Sequence, residues 1–425
     1  MENPGNGDKV FGEKLSSVLS PSRAIDNAAH LKGRGQALRE TAQAFSAQGR
    51  QVFVHGFRGV GKSSVALTAA RTMSPDLEPV LVFCSPKSTF YELVRDMCGK
   101  ALAIDPLVAE ARAETQVGGS AKVMGIGADG HVVNSTTSKG VPLPTSVNEA
   151  AQLMRETMRR APGRVFIVDE FDLLSDRPSH QLFGEFVKLL ADSGANAKII
   201  FCGVAEDLDQ IFQDHPSTFR IFHPLKLETL KIQPCLDIIT DAEATMQVEV
   251  EHNSKMRIVQ ISDGFPYFVH LITEKLLWRW FSDPDRNPTL TEPKHYEAAL
   301  GDACLAAEPE LRLSYDTVVR KYRTDGDIVL WALAEGNELS KNLDTIHKDF
   351  LSVYDRVPVR LKPDDCLDRR RLNSRLVNMK REAYRNIIVS NDRGWYEYRE
   401  KRMRGYARLR AAAKEIELRA DHPLA

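Results

Sequence analysis

The sequence has no apolar run near the length of a membrane-spanning helix; no segment approaches about 18 uninterrupted apolar residues. The stretch from Met1 to Ser20 also lacks the apolar core of a secretory leader. Cysteine is scarce and scattered. The six residues Cys84, Cys98, Cys202, Cys235, Cys304 and Cys366 form no C-x-x-C pair, and several lie in apolar runs. That distribution argues against a disulfide framework or a zinc cluster and fits free thiols in a reducing compartment. The expectation is a cytoplasmic protein with no membrane contact. Overall charge bias is missing too: the formal net charge is −1, which by itself says nothing about nucleic acid. What remains is ordinary globular material, 43% hydrophobic and 27% charged. A chain of 425 residues has room for two or three domains.

Against this plain background one stretch stands out: His55-Gly56-Phe57-Arg58-Gly59-Val60-Gly61-Lys62-Ser63-Ser64. It fits G-x-x-x-x-G-K-[ST], the P-loop pattern. Glycines let a backbone fold back with its N–H groups converging on phosphate oxygens, where a Cβ would obstruct. Lys62 then reaches the terminal phosphates, and the Ser63 hydroxyl can hold Mg²⁺. Arg58, Gly59, Val60, Gly61 and Ser64 complete the cradle, and the helix that follows adds the positive end of its dipole. Gln51 to Val54 reads as a short buried strand and Ser64 to Ala70 as a helix, the order the motif needs.

A second motif lies about a hundred residues on. Arg164-Val165-Phe166-Ile167-Val168-Asp169-Glu170 is an apolar strand that ends in two acids. After a P-loop this reads as the Walker B strand. Asp169 would hold Mg²⁺, mostly through water, and Glu170 would orient the attacking water. Alone, such a strand end could simply carry two solvated acids. Asp172 reads as a cap or supporting group.

The rest of the chain supplies a frame. Residues 1–20 are polar and glycine-rich at the start and are expected to be poorly ordered. A helix is expected from about Gln36 to Gln48, and further buried strands at Pro79–Cys84, Ala197–Gly203 and Pro224–Glu228, with helices at Ser88–Ala103, Ser146–Arg159 and His180–Ala191. Five strands mostly separated by helices imply a parallel sheet covered on both faces, and a core spanning residues 21–229. Residues 112–147 break the pattern with Gly, Ser and Thr. They read either as a hairpin turning at Asp129-Gly130 or as a surface loop. Residues 230–310 are wholly helical and contain Gly264-Phe265-Pro266 before a strongly apolar helix.

Residues 311–425 read as a third unit. Helices at Asp325–Glu335, Leu343–Tyr354 and Arg369–Arg385 precede two strands around Asn391-Asp392-Arg393-Gly394, which is a winged-helix order. From residue 360 onward bases outnumber acids by roughly two to one. The third helix carries Arg369, Arg370, Arg371 and Arg375, and a tail helix adds Lys401, Arg402, Arg404, Arg408 and Arg410. That fits a helix in a DNA groove with phosphate contacts around it. It fits equally a basic face docked on an acidic protein.

With Leu31-Lys32-Gly33-Arg34, the P-loop, Asp169-Glu170, the Gly203 strand, Ser217 to Arg220 and Gly264-Phe265-Pro266 in this order, the chain resembles the AAA+-like ATPases near the origin-recognition initiators and the archaeal and STAND-type ATPases. The resemblance covers about residues 20 to 410. It implies an α/β fold: a five-stranded parallel P-loop NTPase core, a helical lid and a C-terminal winged helix. It implies ATP and Mg²⁺ as cofactors, with Gly33 and Arg34 beside the adenine, Ile25 and Leu31 near the base, and Pro266 packed on it. Arg220 falls where such ATPases place an arginine finger for a neighbour's γ-phosphate, which implies a homo-oligomer; an ordinary surface salt bridge is the alternative. Two departures matter. Phe201-Cys202-Gly203-Val204 lacks the polar residue that usually positions the lytic water, and Gly264-Phe265-Pro266 stands where many relatives carry an arginine. Both imply a slow, nucleotide-controlled switch. The settings implied are replication, transposition, plasmid maintenance or antiviral defence, with double-stranded DNA or an effector protein as partner. A nucleotide-stabilised DNA-binding protein and a regulatory scaffold are the alternatives.

Overall fold

The computed structural model describes residues 4–103, 141–175, 177–204, 220–363, 365–390, 392 and 394–419. Most of the 112–147 stretch, including its possible hairpin, lies outside these residues.

Five parallel strands form the central sheet: β1 (Gln51–His55), β2 (Val80–Phe83), β3 (Val165–Asp169), β4 (Lys198–Gly203) and β5 (Phe222–Lys226), in the spatial order β2-β3-β4-β1-β5. Parallel strands need crossover connections, and helices lie along the chain between β1 and β2, β2 and β3, and β3 and β4. Side-chain alternation divides the strands between two cores. Val52, Val54, Ile167 and Ile200 pack against α3 (Lys62–Met73) and α2 (Gly35–Ser46). Phe53, Phe166, Val168 and Phe201 face the opposite side, where α4 (Phe90–Ala101), α5 (Val147–Arg160) and α6 (Arg177–Asp192) lie. Local chemistry sets the helix starts. Thr89 and Glu92 form a capping box at α4, and Ser146 caps α5.

Four helices follow the sheet where the sequence suggested a lid, a name kept for them below: α7 (Ile232–Met246), α8 (His252–Ser262), α9 (Pro266–Ser282) and α10 (Pro293–Ala306). Pro266 occupies the first turn of α9, where its missing N–H costs no hydrogen bond. Residues 4–16 are not the poorly ordered tail the composition suggests. They form α1 (Pro4–Ser16), whose buried Phe11 stacks on Phe281 of α9 with ring centroids 4.0 Å apart and meets Trp278 edge-on at 4.9 Å. Phe11, Leu15, Val18 and Leu19 supply a short apolar stripe that sequence composition diluted with Gly, Asn and Ser.

Beyond α11 (Pro309–Tyr322), helices α12 (Thr324–Ala334), α13 (Leu343–Arg356) and α14 (Arg369–Met379) pack beside a three-stranded antiparallel sheet. Its order is β6-β8-β7, from β6 (Ser340–Asn342), β7 (Ile388–Val389) and β8 (Trp395–Tyr398). Strand β6 is too short to announce itself in sequence. Helix α14 stops at Met379 rather than Arg385; a 3₁₀ turn over Glu382–Tyr384 follows, and Tyr384 stacks on Tyr322 at 5.3 Å. The last helix, α15 (Arg402–Ala412), is buried along nearly its whole length. The expected basic tail surface is therefore absent there. Arg402, Arg404 and Arg408 are all buried, Arg410 pairs with Asp316 at 2.8 Å, and Lys401 pairs with Glu397 at 2.7 Å.

Candidate nucleotide site

Strand β1 delivers the chain to the loop at residues 56–61, and two glycines there cannot be replaced without a clash. A Cβ on Gly56 would lie 2.3 Å from the Leu227 carbonyl oxygen, and one on Gly59 would lie 2.4 Å from Cδ of Arg402; both residues have positive φ. Leu227 comes directly after β5, and its N–H donates to the His55 carbonyl at 2.7 Å, which brings it close to the loop. Lys62 opens α3, and its ammonium donates to the Gly56 and Phe57 carbonyls at 3.0 and 3.3 Å. The loop thus folds around its own lysine. Arg34 is buried, with Nη2 donating to the Val60 carbonyl at 2.8 Å and the Glu228 carbonyl at 2.7 Å. Burial pulls its pKa down, with opposing pulls from Cys235 and Glu228. It braces the loop against the segment after β5.

Across the cavity stands the end of β3. Asp169 is buried, and its Oδ1 accepts the Glu170 N–H at 2.8 Å. Glu170 has left-handed backbone angles, φ 55° and ψ 38°, which turn the chain sharply off the strand. Its carboxyl pKa is raised, first by burial and then by the neighbouring Asp169 charge. On the adjacent strand, Cys202 is fully buried and hydrogen-bonded to Asp169; burial, reinforced by that carboxylate, pushes its thiol well above the usual range. A protonated thiol thus occupies the place beside Asp169 where a polar side chain was missing from the sequence.

Loop, β3 and lid enclose a cavity of about 360 Å³, lined by Arg58, Gly59, Gly61, Lys62, Ser63, Ser64, Asp169, Glu170 and Pro266 among others. A small extension of about 30 Å³ is lined by Ile25, Leu31, Arg34, Val60, Pro266 and His270. Helix α3 holds that edge in place: the Ser64 hydroxyl accepts from the Ile25 N–H at 3.0 Å, and Thr68 donates to the Ile25 carbonyl at 3.1 Å. Gly33 does not reach the cavity; it abuts Pro234 at the start of α7. Arg220 also lies away from it, exposed at the entrance to β5.

Residues 30–200 match the model of the AAA ATPase domain. This region is similar to AAA ATPase domains. Among solved structures, the chain is similar to the Walker-type ATPase of Pyrococcus abyssi, with 16% identity, a TM-score of 0.53, and coverage of 91% of this chain and 99% of that one. It is also similar to the Aeropyrum pernix ORC2 protein, whose structure contains ADPNP and ADP complexes. There the identity is 11%, the TM-score 0.51, and the coverage 94% of this chain and 97% of that one. No curated protein matches the chain by sequence. The similarity agrees with the geometry, in which Asp169 at the end of β3 and Glu170 just after it share one cavity with the loop.

Sequence reasoning missed part of the cavity wall. His270 follows Pro266 by four residues, one helical turn, so helical spacing could have placed both on one face. Its Nδ1 accepts the Ser20 N–H at 3.3 Å, which puts the ring proton on Nε2. That Nε2 is buried and has no partner among the described residues. Burial, with a contribution from His30, lowers its pKa to about 4, so the ring is neutral at pH 7. Arg402 and Glu308 also line the cavity, and no local signal pointed to them.

The residues present suit Mg²⁺ held jointly with a nucleotide. Among the described residues no group of three or more His, Cys, Asp or Glu side chains forms a cage for a metal ion. Ser63 and Asp169 both face the cavity. Magnesium is usually held this way, by one or two protein oxygens plus phosphates and waters. Among the described residues no helix is long and apolar enough to cross a membrane.

Proposed function

We propose that this chain is an ATP-binding, slowly hydrolysing switch that couples nucleotide state to assembly and to a DNA or protein partner. The observation that carries this reading is the composition of one cavity, which joins the P-loop, the Asp169–Glu170 strand end and Pro266 of the lid. In this reading Lys62 exchanges its loop carbonyls for the β- and γ-phosphates of ATP, and the backbone N–H groups of the loop cradle them. Ser63 and Asp169 hold Mg²⁺, which neutralises phosphate charge when bound. Glu170 orients the attacking water. Pro266 packs on the base, and the Nε2–H of His270 is offered to an acceptor on the base or ribose. Slow turnover follows from the thiol of Cys202, a poor substitute for an amide or hydroxyl in positioning water.

Arg220 is exposed, as an arginine acting on a neighbouring subunit's nucleotide needs to be. This supports a homo-oligomer whose sites are completed in trans. The C-terminal helices and three-stranded sheet support a winged helix, with exposed Arg369, Arg370 and Arg371 on its third helix. Double-stranded DNA is the partner that a phosphate-contacting face of this kind suits.

The test is nucleotide binding and phosphate release by the full chain with Mg²⁺. Wild type is expected to bind ATP and release phosphate slowly, Lys62→Ala to lose binding, and Glu170→Gln to retain ATP unhydrolysed and accumulate oligomers. Equal absence of phosphate release in wild type and Glu170→Gln would remove the enzyme reading and leave a nucleotide-stabilised DNA-binding protein.

A further inference from the structure

The C-terminal helix contributes a side chain to the nucleotide cavity of its own core. Arg402, the first residue of α15, is 2% exposed although it lines that cavity. Its aliphatic stem lies against the P-loop, close enough to Gly59 that a Cβ there would sit 2.4 Å from Cδ. Two of its nitrogens are occupied: Nη1 donates to Glu308 at 2.5 Å and Nε donates to Glu400 at 3.1 Å. The third, Nη2, is buried with no partner among the described residues. Burial works against the charge, but Glu400 and Glu308 outweigh it and keep the guanidinium protonated. A charged nitrogen that is dry and unpaired is costly to leave so. An anion arriving beside Gly59 would satisfy it.

We propose that Arg402 is a phosphate ligand supplied in cis by the C-terminal unit, binding the terminal phosphates of the nucleotide held by the P-loop. This rests on the nucleotide reading of the cavity and adds a partner to it. Helix α9 presents Pro266 to the cavity, and α15 supplies a cation to it. Glu308 and Glu400 tune that cation. They hold the guanidinium in place without a ligand, and they compete with the phosphate when one is bound. The nucleotide therefore grips the C-terminal unit directly, through a residue more than three hundred positions from the loop.

The experiment compares the binding of ATP, ADP and AMP to full-length wild type, Lys62→Ala, Arg402→Ala, Arg402→Met with Glu308→Gln, and Glu308→Gln alone. The measurement is titration calorimetry with Mg²⁺. Loss of a charged hydrogen bond to phosphate predicts that both Arg402 variants bind ATP and ADP at least about tenfold more weakly, with AMP within about twofold. The second Arg402 variant keeps the result readable if unpaired carboxylates disturb the first. Glu308→Gln alone is expected to tighten ATP several-fold, which a merely structural role for the ion pair would not do. Unchanged ATP and ADP affinity in both Arg402 variants overturns the assignment, as does an equal loss for AMP. If wild type itself binds no nucleotide, or binds it independently of Lys62, the nucleotide reading fails instead.

Discussion

Helices α14 and α15 carry similar numbers of arginines, and the structure treats them in opposite ways. On α14, Arg369, Arg370 and Arg371 are exposed, and Arg369 makes an ion pair with exposed Asp344 at 2.6 Å. On α15, Arg404 grips Asp263 with two hydrogen bonds of 2.5 and 2.6 Å, and Arg408 adds a third at 3.1 Å. Arg408 also donates to the carbonyls of Ala334 and Gly336; burial pulls its pKa down to about 10, still charged at neutral pH. Counting bases cannot tell these helices apart. The difference lies in partners distant in sequence. Asp263 sits at the end of α8 immediately before Gly264-Phe265-Pro266, so two α15 arginines clamp the turn that opens the lid helix, while Arg402 touches the P-loop.

The contrast can be broken at its strongest point first. Asp263→Ala strands two buried guanidinium groups and is expected to cost about 3–5 kcal/mol of stability, read as a lower urea midpoint. Gly59→Ala drives a methyl into Arg402 and is expected to cost about 1–3 kcal/mol. Arg402→Ala in the same chain should recover part of that loss, a non-additivity measurable in a double-mutant cycle. Arg375 is intermediate: its guanidinium lies 4.0 Å from the Tyr322 ring centroid and 3.6 Å from Asp325. Arg375→Ala is expected to cost about 1 kcal/mol in the same unfolding assay. Replacing Arg369, Arg370 and Arg371 together by alanine should move stability by no more than about 0.5 kcal/mol. In the DNA reading, that triple variant loses salt-dependent duplex binding, measured by anisotropy between low and high salt; retained binding would move the contact elsewhere.

The AAA core was legible because its signals are local. A P-loop, an apolar strand ending in Asp169-Glu170 and alternating strand and helix patterns each occupy a few consecutive residues, and hydrogen bonding does the rest. Ile25 and Leu31 line the small extension of the cavity beside Pro266, where the resemblance put the base. Local reading failed where structure is made by distant contacts. Helix α1 is stabilised by aromatic packing on α9, not by its own composition. Strand β6 exists because β8 pairs with it. The burial of α15 depends on Asp263, Glu308 and the P-loop, none of them near it in sequence. Arg402 was visible as one more positive charge, and its role at the cavity required the fold.

Helix α1 gives the molecule an optical gauge. Trp278 meets Phe11 edge-on and also lies against Gly12, where a Cβ would come within 3.3 Å. The same stretch of chain runs on through Ser20, whose N–H holds His270, to Ile25 beside the P-loop helix. This stretch ties α9, through Phe11 and Ser20, to α3, through Ile25. The indole of Trp278 sits at one end of that stretch, so in a chain whose other three tryptophans are replaced by phenylalanine its emission gauges whether α1 stays seated on α9.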